Sequence, residues 1–122
     1  ASDALVRGTG TGIDKVIVAV ELHQLPPPDF RKEGDAVRVV LYAPRRFAEM
    51  TPQERVRACY QHAALKYLAG QKMTNSTLRE RFGIEPQNAA QASTVIRQAL
   101  GTDLIRVADS AAPRSGYVPY WA

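Results

Sequence analysis

"MTNSTLRERFGIEPQNAAQASTVIRQAL", Met73 to Leu100, holds two helix patterns divided by a glycine. In the first, Thr74 or Asn75 supplies the cap, Leu78 and Phe82 point inward four residues apart, and Gly83 ends the helix. The second pattern predicts a helix over Glu85 to Leu100. Ala89, Ala92, Ile96 and Leu100 form its apolar stripe, with Val95 and Ala99 beside it. Asn88 and Gln91, three residues apart, offer it a cap.

Working outward, Thr51-Pro52 with Glu54 is a helix start, and the helix runs from Pro52 to about Ala69 before Gly70. Its inward residues are expected to be Val56, Tyr60, Ala63, Tyr67 and Leu68. After the third helix, "LIRVA" (Leu104 to Ala108) and "YVPYWA" (Tyr117 to Ala122) read as strands around the turn-rich "DSAAPRSG". Pro119 suits an edge position. Helix, helix, helix, strand, loop, strand is the order of a winged helix-turn-helix, here Met50 to Ala122.

Opposite the apolar stripe of the third helix lie Gln87, Gln91, Thr94 and Gln98, with Arg97 beside them. Amides and guanidinium groups read base edges bidentately in the major groove, although a polar helix face is also what water alone selects. Arg79 and Arg81 on the second helix, and Arg106 and Arg114 on the wing, are placed to meet phosphates from both sides. The stretch linking the second and third helices is longer than in a tight helix-turn-helix. Charge agrees with a nucleic-acid partner: residues 1–51 carry seven basic and seven acidic side chains, residues 52–122 nine and five. All of the net +4 therefore lies in the second part.

The first part opens with "RGTGTGIDKV", Arg7 to Val16. Glycines ahead of a helix often cradle phosphate, but Gly8, Gly10 and Gly12 have the spacing G-x-G-x-G rather than G-x-G-x-x-G. No lysine-serine pair follows, and six residues leave no room for a preceding strand. A structural turn is the favoured reading. Ile13, Val16, Ile17, Val20 and Leu25 then fall at helical spacing, Pro26 to Pro28 stop the helix, and Asp35 to Ala43 reads as one strand. One helix and one strand cannot cover both faces of "VRVVLY". This part is expected either to pack on the second part or to pair its strand in a homodimer.

Cys59 and His62 share a helix face, but a metal needs three or four ligands, and a lone thiol with no oriented base is a poor nucleophile. A buried thiol and a satisfied histidine are expected, with no metal. A single cysteine suits the cytoplasm, and no apolar run approaches a membrane span. The absence of an initial methionine suggests a piece of a longer protein.

"GIDKV", "LPPPDF", "VRVVLY", "RACYQHAALKY", "MTNSTLRERFG" and "YVPYWA" together resemble a bacterial family described as RecG-related ATP-dependent helicases or transcriptional regulators. The resemblance spans essentially the whole chain. It implies a Schlafen AlbA-like domain, a GHKL-type ATPase-like domain and a C-terminal winged helix in the full-length protein. Residues 1–49 would be the tail of the ATPase-like α/β domain, a helix and a strand, with Gly8, Gly10 and Gly12 its last glycine box. Residues 50–122 would be the winged helix, giving an α+β chain. The asparagine for Mg²⁺ and the aspartate for adenine have no counterpart here. ATP and Mg²⁺ are thus expected of the full-length protein only, and this chain is expected to have no cofactor and no enzymatic activity of its own. The implied function is DNA binding in transcriptional regulation, with double-stranded DNA as partner. A protein-interaction or dimerisation module is the alternative, and part of an ATP-dependent enzyme acting on DNA is the third.

Overall fold

The computed structural model describes residues 2–7, 10–22, 26–41 and 46–122. Gly8, His23, Leu25 and Tyr42 lie outside them. The chain is mixed α+β, with four helices and two small antiparallel sheets among the described residues. β1 (Ser2–Arg7), α1 (Gly10–Leu22), β2 (Asp29–Glu33) and β3 (Ala36–Leu41) form a first unit, its sheet ordered β1-β3-β2. α2 (Pro52–Leu68), α3 (Asn75–Phe82), α4 (Ala89–Gly101), β4 (Ile105–Val107) and β5 (Tyr117–Pro119) form the second. β4 pairs antiparallel with β5, and a single bridge joins Met73 to Tyr117 on the other edge of β5.

The first unit corrects three expectations. Ser2 to Arg7 is itself a strand, paired with β3 from Ser2↔Leu41 to Arg7↔Ala36, so the six residues do hold a strand before the glycines. Gly10 and Gly12 lie inside α1, not in a loop ahead of it. The charged "DFRKE" is the edge strand β2, which lacks the β-branched residues that mark strands. It pairs with β3 from Asp29↔Val40 to Glu33↔Ala36 through a two-residue turn, where Gly34 supplies the positive φ (+57°) such a hairpin needs. Arg31 and Arg38 face each other across this pair, a repulsive arrangement. Each is neutralised locally: Arg31 by Asp29 at 3.3 Å, Arg38 by a two-pronged contact with Glu33 at 2.7 and 3.0 Å.

The second unit has one core. Ala58, Cys59 and Ala63 of α2 meet Leu78 and Phe82 of α3, Ala92, Val95, Ile96 and Ala99 of α4, and Met73 and Ile105. Ala89 and Leu100 are only half-buried. α2 is rotated from the expected face: Tyr67 and Leu68 are exposed, while Ala58, Cys59 and His62 turn inward. Small residues at the inward positions let α3 and α4 approach closely, and the tyrosines are left at the rim. The 3₁₀ turn Phe47–Glu49 belongs with this core, since the Phe47 ring lies 4.8 Å from that of Phe82.

Local signals explain the helix ends. Thr51 and Glu54 form a reciprocal capping box on α2, and Thr74 and Thr77 another on α3, each worth about 1 kcal/mol. Gly83 closes α3 in the left-handed conformation (φ +69°), with the Ile84 N–H donating to the Arg79 carbonyl. α4 starts at Ala89, later than expected, behind a 3₁₀ turn at Pro86–Asn88. The Asn88 side chain makes no cap.

Gly116 is required at the base of the β4–β5 loop. Its φ is +142°, and a Cβ there would sit 2.6 Å from the Lys72 Cβ and 3.0 Å from the Met73 carbonyl oxygen. Gly116→Ala should lower stability by about 1–3 kcal/mol in urea unfolding and loosen the Met73–Tyr117 bridge. A loss below about 0.5 kcal/mol would contradict this packing.

Candidate nucleic-acid interface

α4 is held from two sides. Its apolar face packs on α2, and Asn75 at the start of α3 reaches across to it. The Asn75 amide donates to the Ala89 carbonyl and to the Ser93 hydroxyl, both at 3.0 Å. Arg79 donates from Nε to the Asn75 carbonyl oxygen at 2.8 Å, fixing which way the amide faces. The longer link therefore does not leave the two helices loosely joined.

The remaining face of α4 is open. Gln91, Thr94, Arg97 and Gln98 are all exposed, as is Gln87 in the preceding 3₁₀ turn. Gln91, Thr94 and Gln98 border a cleft of about 270 Å³ whose other wall includes Phe47, Ala48 and Arg55. Arg97 lies near Thr94, donating to its hydroxyl at 3.2 Å. The Thr94 hydroxyl donates in turn to the Ala90 carbonyl. A surface of this kind offers amide donors and acceptors and one guanidinium to whatever approaches.

The other predicted arginines separate. Arg114 is exposed in the 3₁₀ turn Pro113–Ser115, within the β4–β5 loop. Arg106 is exposed on β4 but hydrogen-bonds the Val107 and Ala122 carbonyls, tying down the chain end. Arg79 is half-buried, with its Nε committed to Asn75. Arg81 does not belong to this surface. It is 5 % exposed, and its Nε lies 3.3 Å from the Glu21 carboxylate of α1. Burial pulls the guanidinium below its usual value while Glu21 pushes the other way.

Glu21 has no local signal in the sequence, yet it joins three helices. His62 Nδ1 lies 2.9 Å from it, and His62 Nε2 lies 3.0 Å from the Thr77 hydroxyl. His62 is therefore satisfied by α1 and α3. Arg55, also missed, donates twice to the Phe47 carbonyl and stacks on the Phe47 ring at 4.0 Å, fixing the far wall of the α4 cleft. Among the described residues no three of His, Cys, Asp and Glu come together as a metal site. No described helix is long and apolar enough to cross a membrane. Comparisons with models of protein families, with curated proteins and with solved structures find no match.

Cys59 is fully buried, with its thiol 3.7 Å from the Met73 sulfur, and burial pushes its pKa up to about 12. The thiolate is the reactive form, so this group is inert in the folded chain. Ellman's reagent at pH 8 should modify Cys59 only as fast as the protein unfolds. Above pH 9 the unfolded thiol ionises while the folded one holds its proton, so stability should fall as pH climbs from about 9 towards 12. Rapid stoichiometric labelling of the native protein would contradict this burial.

Proposed function

We propose that residues 50–122 form a winged helix-turn-helix that binds double-stranded DNA, with α4 as the recognition helix and the β4–β5 loop as the wing. The carrying observation is the polar face of α4, where Gln91, Thr94, Arg97 and Gln98 are exposed opposite the packed Ala92, Val95, Ile96 and Ala99, with Gln87 exposed in the 3₁₀ turn just before it. The order of elements supports the reading, as does the single bridge that joins Met73 to the two-stranded β4–β5 sheet. On this reading Arg97 and Gln91 read base edges, and Arg114 meets phosphate. The role is that of a DNA-binding module in a transcriptional regulator of the RecG-related type. Residues 1–49 would be the end of its ATPase-like domain, and ATP and Mg²⁺ would serve the full-length protein.

A second reading, a protein-interaction or dimerisation module, draws on a different surface. Tyr67, Leu68, Tyr120 and Trp121 are 42–61 % exposed; Trp121 donates to the Tyr60 hydroxyl at 2.8 Å and packs edge-on against Tyr67, and Tyr120 stacks on Tyr60. Exposed tyrosine and tryptophan are typical of protein contacts.

Fluorescence anisotropy with random and genomic duplexes at two salt concentrations separates the readings. Arg114→Ala should weaken binding to every duplex and reduce the salt slope by about one. Arg97→Ala and Gln91→Ala should each cost about 1–3 kcal/mol of discrimination at a preferred site. Arg81→Ala should lower stability rather than remove a DNA contact. Absence of salt-sensitive binding at tens of micromolar would reject DNA as the partner, and a dimer seen by light scattering would then favour the second reading.

A further inference from the structure

An apolar cleft of about 540 Å³ opens where the two units meet, and it shares Pro52 with the cleft bordered by α4. Phe30 of β2 forms one wall, Val56 and Tyr60 of α2 the floor, and Leu104 just before β4 the far side. Its volume falls within the roughly 300–1,000 Å³ of small-molecule sites, and such sites favour junctions between structural units and predominantly apolar walls with few polar groups. The charges at its rim, Asp29 and Arg57, are opposite in sign, and each is already engaged. Asp29 accepts from Arg31 at 3.3 Å, and Arg57 donates to the carbonyls of Pro28 and Pro27 at 3.2 and 3.4 Å. With the Arg57 donors turned to the proline carbonyls, the surface the cleft offers a ligand is predominantly carbon. An uncharged ligand would meet carbon walls and the Tyr60 ring.

We propose that this cleft is a binding site for a neutral, largely apolar ring compound, seated between Phe30 and Leu104 over Val56 and Tyr60. Such a molecule contacts β2 of the first unit together with α2 and the segment after α4 of the second. It would thereby fix the two units against each other. The proposal is independent of whether the chain binds DNA.

The test uses the intact chain and N-phenyl-1-naphthylamine, an uncharged aromatic dye whose emission rises and shifts to the blue in apolar surroundings. The expected result is saturable binding of one dye per chain, with nuclear Overhauser contacts from the dye to the Val56 and Leu104 methyl groups in the unmodified protein. Leu104→Trp, which fills the cleft, should weaken binding at least tenfold with the circular dichroism spectrum unchanged. Val18→Ser, at an exposed apolar position of α1 outside the cleft, should leave binding as it was. The anionic dye 1-anilinonaphthalene-8-sulfonate should bind more weakly than the neutral one. Non-saturable binding would overturn the proposal, as would dye contacts elsewhere on the chain or a preference for the anion. Dye binding only to a self-associated form would assign the cleft to a second copy of the chain and overturn it as well. Should Leu104→Trp fail to fold, the contacts measured in the unmodified protein decide alone.

Discussion

Helix α2 must be satisfied on every side, and the rest of the structure is arranged to do so. Its small residues Ala58, Cys59 and Ala63 lie in the core of the second unit. Its polar residues Arg57, Gln61 and His62 point to the first unit, where Gln61 and His62 are buried. Buried polar groups cost about 1–3 kcal/mol each if left unpaired. Pro26 to Pro28 answer that need. Proline has no N–H, so this run presents carbonyls without competing donors, and the Pro27 and Pro28 carbonyls accept from Arg57 and Gln61. The three prolines form the seam between the units, and all three are fully buried.

The same seam sets the geometry of the helix pair. Glu21 near the end of α1 reaches His62 of α2 and Arg81 of α3, and His62 reaches Thr77. Asn75 then ties α3 to α4. Polar contacts thus tie the first unit to α2 and α3, and separate ones tie α3 to α4. Loss of Glu21 would take from the buried Arg81 its carboxylate neighbour, a larger cost than losing a surface pair. With its inner face packed and its flank tied, α4 has a single open side, and the sequence fills that side with amides and one arginine.

Helix-forming stretches with caps were legible from residues alone. Thr51-Pro52 with Glu54, Thr74 before Leu78, and Gly83 after Phe82 encode their ends within four residues, and the structure has those ends. The exposed α4 face was legible too, because the spacing of Ala92, Val95, Ile96 and Ala99 leaves only one other side. Strands β1 and β2 were not. Each is five or six residues long, and β2 has charged residues, with one ion pair from Glu33 across to Arg38, in place of β-branched side chains. The burial of Arg81 was hidden for a different reason: its partner Glu21 is remote in sequence and lies in the other unit. Nor could periodicity set the rotation of α2, since a helix buried between two units has polar residues on an inward face.

If α4 and the β4–β5 loop present the DNA-binding surface, the α1–α3 contact around Arg81, which is buried, takes no part in it. Titration of the isotopically labelled chain with a short random duplex, followed by amide chemical-shift mapping, tests this reading most directly. The largest shifts are expected at Gln87, Gln91, Thr94, Arg97 and around Arg114, with Arg81, Glu21 and the Tyr67–Trp121 end unmoved. Shifts centred on Tyr67, Tyr120 and Trp121, or no shifts at any duplex concentration up to hundreds of micromolar, would contradict it.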